Sequence, residues 1–303
     1  MPRLTRLIPF IFVLIWSTGF IGSKFGLPYM EPFFLLVVRY ALVLVLFSFG
    51  LLLWRKRLLA VHDIPSQLLI GVLIHGAYLA GVFYAISQGI PAGLVAIIVG
   101  MQPILTALLG WFWLGEGLER SALTGLVLGF AGILLVISGA GALPGHGGLD
   151  SIGLAATVLA LLGISLGTVL QKRLGGDVPV LAGTTVQYIG ALLATLPLML
   201  LFETRHVTLT WPLVLTMTWL VLGISVLAIS LLMVMIRRDQ VARVTSYFYL
   251  VPPLAMLQAW LFFGETISAL SGLGSILVIA GVYLVIRRNQ ANAGLGRPQP
   301  ARG

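Results

Sequence analysis

Arg39, His75, Gln102 and Gln258 each stand inside a long apolar run, where a polar side chain needs a reason. Arg39 can grip a carboxylate through its two-pronged guanidinium. It can equally snorkel to a surface or pair with Glu31. His75 can hold a ligand, carry a proton near neutral pH, or bond quietly to a neighbouring helix. Tyr78 follows His75 on one helical face and shares its fate. Gln102 and Gln258 offer amides that either join helices or line a wet pathway. Tyr247 falls on the face of Gln258, and Trp16 adds an aromatic surface. These seven residues are the candidate substrate-binding set. The acids lie elsewhere: all nine fall at the ends of the apolar runs or between them. That leaves His75 as the one conventional proton carrier inside a run. No His-Glu-x-x-His zinc pattern and no phosphate loop occurs, and four histidines are few for a metal cage. No metal, cofactor or catalytic group is expected, and no enzyme.

The elements that position these residues are set by composition. Of 303 residues, 59% are hydrophobic and 9% charged, with mean hydropathy +1.08. A soluble domain carries about 25% charged residues. Apolar stretches of about 18–22 residues recur, each enough to cross about 30 Å of hydrocarbon as a helix. A membrane barrel needs short alternating segments, and these runs are continuous. The chain is therefore expected to be an all-α membrane protein with the lipid bilayer as its solvent. Ten spans are predicted, at about 7–27, 33–53, 65–86, 93–114, 121–140, 151–171, 181–201, 211–236, 242–263 and 267–286. The first, after Arg3 and Arg6, resembles a signal peptide, but no small-residue cleavage site follows it, so it reads as a retained helix. Zero cysteines exclude disulfides. The net charge of +9 does not imply nucleic acid, because the basic residues sit at helix ends rather than on one face.

One unit is written twice. Residues 100–116, GMQPILTALLGWFWLGE, return at 249–265 as YLVPPLAMLQAWLFFGE. At an offset of 149, Pro103 falls on Pro252, Trp111 on Trp260, Gly115 on Gly264 and Glu116 on Glu265. Gly125 and Gly132 then fall on Gly274 and Gly281. At 148, Ser17 falls on Ser165, Gly19 on Gly167, Lys24 on Lys172, Tyr40 on Tyr188 and Arg39 on Gln187. Each unit holds five spans, so the second enters the bilayer from the opposite side: an inverted repeat. The predicted division is a first repeat at 1–140, an outer linker at 141–150, a second repeat at 151–288, and a disordered cytoplasmic tail at 289–303. Lysine and arginine crowd one side of this arrangement, at Arg55, Lys56, Arg57, Arg120, Lys172, Arg173, Arg237, Arg238 and Arg243, against Arg205 in the loops of the other. That bias puts both termini in the cytoplasm.

WSTGFIGSKFG in span one, the opening of span two from Pro32 to Arg39, and the paired Pro-to-Gly-Glu hairpins resemble the drug/metabolite transporter superfamily, specifically its EamA-type members. The resemblance covers about residues 7–288. It implies a ten-helix carrier of the bacterial inner membrane, often an exporter, for small metabolites such as amino acids. It also turns polar and aromatic residues of span three toward a central cavity.

Within that frame Pro103 and Pro252, near the middle of spans four and nine, read as hinges or cavity-lining kinks, or as fixed bends needed for packing. Glu116 and Glu265 read as caps for the helix that follows each. Lys24 reads as a snorkelling residue and Gln171 as interfacial. Glycines 125 and 129 form a small-xxx-small pair, so spans five and ten offer a seam for a possible homodimer. Two opposed, similar halves suit alternating access, and the expected function is a secondary transporter of small molecules. A passive channel and, less favoured, an intramembrane enzyme are the alternatives.

Overall fold

A computed structural model describes residues 7–53, 58–114, 120–139, 150–174, 178–231, 250–265 and 268–295. In chain order the helices are α1 Ile8–Gly26, α2 Pro32–Leu53, α3 Val61–Ser87, α4 Ala92–Trp113, α5 Arg120–Gly139, α6 Ser151–Leu174, α7 Val180–Phe202, α8 Trp211–Leu231, α9 Val251–Phe263 and α10 Ala269–Leu295. Among the described residues there is no strand, only a bridge between Met30 and Val207. Seven helices, α1 to α4 and α6 to α8, are long and apolar enough to cross a membrane. The apolar stretches in α5, α9 and α10 are shorter. Large apolar side chains such as Phe49, Leu201, Phe202 and Trp211 face outward, as a lipid solvent permits.

Backbone amides at a helix start have no partner within the helix, and in a bilayer they must find one. Distant carboxylates supply several here. Glu203, just past α7, accepts from the Phe33 and Phe34 amides that open α2, at 2.7 and 2.6 Å. Glu265, just past α9, accepts from Ala92 and Gly93 at the start of α4, at 2.9 and 3.1 Å. Glu265 is thus a cap, but for a helix of the other half of the chain rather than the one following it. Gly264 makes this possible: its φ of 64° is a left-handed turn that closes α9 and aims Glu265 back across the bundle. Glu116, its repeat mate, lies outside the described residues. Glu31 accepts from the amides of Thr204 and His206. Burial opposes charge on Glu31, yet those bonds outweigh it and hold the carboxyl below its usual pKa. At Glu203 burial dominates, and it raises the pKa despite the two α2 amides. All these contacts gather at one end of the bundle.

The most extensive described seam joins α5 and α10. A Cβ on Gly132 would sit 2.6 Å from the Gly274 carbonyl, and one on Gly274 would sit 2.5 Å from the Gly132 carbonyl. Gly281 meets Gly125 and Gly129 in the same way, so the helices run antiparallel. The small-residue face predicted as a possible dimer seam is spent inside the chain. We expect Gly274→Ala to destabilise the protein by roughly 1–3 kcal/mol, because the nearest atom, the Gly132 carbonyl oxygen, is backbone and cannot yield cheaply. A lowered thermal midpoint in detergent checks this.

Candidate functional site

Helix α3 changes pitch in its middle. Val72–Ala77 winds as a wider π-helical stretch, and Trp219–Ala228 does the same in α8. Such stretches are rare, and they free backbone groups and re-aim side chains. His75 lies in the first and Ser225 in the second. Tyr40 of α2 donates its hydroxyl to the His75 carbonyl at 2.6 Å. Tyr188 of α7 donates to Ser225 Oγ at 3.0 Å. The His75 ring stacks on Tyr188, with centroids 4.6 Å apart, and Tyr40 meets Tyr188 edge-on at 5.7 Å. Both tyrosines are buried.

Arg39 completes the cluster. It is 3% exposed and donates from Nη2 to Ser225 Oγ at 3.1 Å, with Nε of the same group at 3.4 Å. It neither snorkels nor pairs with Glu31, which is occupied by the α7–α8 connection. A turn and a half inside α2 is too deep to reach that carboxylate once Ser225 holds the guanidinium.

Arg39, His75, Tyr188 and Ser225 of this cluster line a cavity of about 80 Å³, with Tyr40 behind them. Trp16, Gly19 and Phe20 of α1, Arg39 of α2, and His75, Tyr78, Leu79, Val82 and Phe83 of α3 form much of its wall. Ile164, Tyr188, Ile224 and Ser225 come from the second half. Ligand pockets usually enclose about 300–1,000 Å³, so this one is small and holds a few waters at most. A larger hollow, of about 450 Å³, opens at the end of the bundle that carries Lys24 and Phe263.

Four of the seven candidate residues, Trp16, Arg39, His75 and Tyr78, therefore meet at one cavity. Gln102 and Gln258 do not. Gln102 donates to Thr168 Oγ1 at 2.9 Å and ties α4 to α6, while Gln258 donates to Ser17 Oγ at 2.9 Å and ties α9 to α1. Tyr247 lies outside the described residues. Pro103 lies mid-way along α4, directly after the helix breaks at Gly100 and Met101 and restarts at Gln102, and Pro252 lies in the first turn of the described part of α9. A first-turn proline costs no helical hydrogen bond. Gly100 lies against Pro252, where a Cβ would come within 2.5 Å of the ring.

Two further polar residues have partners in the bundle. Lys24, in the last turn of α1, is part-exposed and paired: its Nζ reaches Glu265 Oε1 at 2.6 Å and lies 4.6 Å from the Phe263 ring centre. Gln171, in the last turn of α6, accepts from Gln187, which also donates to Gln67, each at 2.7 Å. Ser225 and the two tyrosines were missed as site residues, although the Tyr40–Tyr188 register was a usable signal. Gly163, Ser165 and Gly167 also carry the spacing of a hydrolase nucleophile turn. They lie inside α6, where both glycines pack on α3 and Ser165 Oγ is buried without a hydrogen-bond partner. A nucleophile needs an exposed turn and a base. Among the described residues no cluster of His, Asp or Glu could hold a metal.

The chain is similar to known transporters over almost its whole length. A Salmonella typhimurium protein named "Probable amino-acid metabolite efflux pump" is 27% identical over 295 residues, covering 94% of this chain and 95% of that one. An Escherichia coli protein named "Uncharacterized inner membrane transporter YedA" is 25% identical, covering 93% and 92%. A solved crystal structure at 19% identity shares the fold, with TM-score 0.62 and coverage of 96% and 98%. Residues 6–138 and 151–287 each match one sequence family, and by that match this multi-helix membrane protein belongs to the EamA-like transporter family, a family of transporters rather than enzymes.

Proposed function

We propose that the protein is a secondary transporter that exports small metabolites, such as amino acids or related compounds, across the bacterial inner membrane by alternating access. The reading rests on one observation: the cavity around Arg39 and His75 is built jointly by the two halves of the chain. The relatives' names support export and an inner-membrane location.

The moving parts would be two inverted five-helix units, 1–140 and 151–288, making ten spans with both termini cytoplasmic. Several features support that symmetry. Contacts of α3 with α6, α4 with α6 and α3 with α7 have counterparts in α8 with α1, α9 with α1 and α8 with α2. The pairs α2–α7, α4–α9 and α5–α10 join each helix to its own repeat mate. Tyr40 bonds into the π stretch of α3, and its mate Tyr188 bonds into the π stretch of α8. The two sequence-family matches fall on the same two halves.

Two halves of similar structure and opposite orientation can form inward-open and outward-open states of nearly equal energy. Counterflow in proteoliposomes tests this, because a carrier exchanges labelled for unlabelled substrate and a channel does not. We expect His75→Ala to lower exchange by about tenfold, through loss of the ring stacked on Tyr188 in the cavity wall. The thermal midpoint should hold, because Tyr40 bonds the His75 backbone rather than its ring. Exchange equal to wild type at equal protein would remove His75 from the site.

A further inference from the structure

The cavity holds a buried cation, and among the described residues no carboxylate lies against it. Arg39 has five N–H donors, and its one described acceptor is the Ser225 hydroxyl. That oxygen is already saturated: it also accepts from Tyr188, and it donates to the Leu220 carbonyl at 3.2 Å. Every described carboxylate is engaged at a helix end. Glu31 and Glu203 hold backbone amides, Glu265 holds Lys24, Asp150 holds the Gly153 amide, and Asp63 faces His62. The other four acids fall in sequence between the apolar runs. A buried, unpaired guanidinium is costly, and a carboxylate is the group whose geometry answers it.

Beside His75, Tyr78 and Tyr188, the remaining walls are apolar or aromatic, with Trp16, Phe20, Phe83, Ile164 and Ile224, and none of them is an anion. They suit a hydrocarbon body. They offer no anion for an ammonium group, and one placed beside a carboxylate on Arg39 would face that like charge at short range in a low dielectric.

We propose that this site selects organic monoanions, a carboxylate on an apolar body, over the zwitterionic amino acids with the same skeleton. The proposal rests on the transporter reading above and narrows its substrate class. The related compounds it favours are amino-acid derivatives that have lost or masked the amine. Arg39 is a substrate-binding residue in this scheme, and Ser225 and Tyr188 position it.

Three probes with one carbon skeleton test the idea: 4-methylpentanoate, leucine and 3-methylbutylamine. Binding to the detergent-solubilised full chain is read by ligand-dependent thermal shift and by competition in counterflow. We expect the acid to bind at least about tenfold more tightly than leucine, and the amine not to compete. Arg39→Gln should erase the preference, and Arg39→Lys should retain part of it. Leucine binding as well as the acid, competition by the amine, or no binding of the acid to wild type would each overturn the proposal. The wild-type comparison stands even if the Arg39 variants fail to fold. Exchange of leucine but not of the acid would leave the transporter reading intact and sink only the selectivity. Absence of exchange for any solute would sink the transporter reading itself.

Discussion

Gly19→Leu should abolish transport while leaving the protein folded. Gly19 is on α1 in the cavity wall, and a Cβ built on it meets no heavy atom within 4 Å. It differs in this from Gly22 and Gly26 on the same helix, where a Cβ would strike Leu220 at 2.9 Å and Leu35 at 2.6 Å. A leucine at position 19 would project into about 80 Å³ that the structure keeps open and would fill most of it. Replacing glycine with leucine inside a helix also stabilises it locally, by about 0.8 kcal/mol. The expected result is thus a divergence: exchange falls by tenfold or more, about 1.4 kcal/mol or greater in the transition state, while the thermal midpoint holds or rises. Gly22→Leu is the contrasting variant, and it should lower the midpoint. Undiminished exchange by Gly19→Leu would show that substrate does not pass through this cavity.

Glu265→Gln should loosen the end of the bundle where α1, α4 and α9 meet. The Glu265 carboxylate takes three bonds there: from Lys24 Nζ at 2.6 Å, and from the Ala92 and Gly93 amides. Charge-assisted bonds are the stronger kind. Lys24 is 32% exposed on its side chain, so water screens part of the ion pair. A neutral glutamine keeps one accepting oxygen, turns an NH2 donor where the second oxygen stood, and carries no charge to answer the lysine. We expect the closed arrangement of that end to weaken by about 1–2 kcal/mol, which shifts an open–closed balance roughly 5- to 30-fold. The chain has no cysteine, so a single Phe20→Cys probe in the cavity reports on access without background. Its modification by a water-soluble thiol reagent should speed up in the Glu265→Gln background by a factor in that range. Unchanged labelling would reduce Glu265 to a helix cap that does not hold this end shut.

These expectations draw unequally on the sequence and on the structure. The broad architecture was readable residue by residue. A bilayer forces each crossing segment to satisfy its own backbone, so a run such as 32–53 announces its helix without help from neighbours. The repeat was readable as well, because Pro103, Gly115, Gly125 and Gly132 recur at a fixed offset. Arg39 and His75 stood out because a charged or ionisable group among apolar residues is costly.

The partners of these residues could not be read. Lys24 and Glu265 are 241 positions apart, and only the packing of α1 against α9 joins them. Gln102 and Gln258 looked like cavity amides because a helical wheel cannot say whether a polar face meets water or another helix. In the bundle each meets a hydroxyl on its neighbour. Ser225 was hidden for a different reason. A serine is cheap in an apolar helix, and its place beside Arg39 and Tyr188 depends on the wide π turns of α8, which break the regular period from which a face is deduced. What the sequence determined by itself was a membrane-spanning helical chain, doubled, in a transporter family. What only the tertiary structure decided was which polar groups meet, because helix rotation and long-range contact leave no periodic trace along the chain.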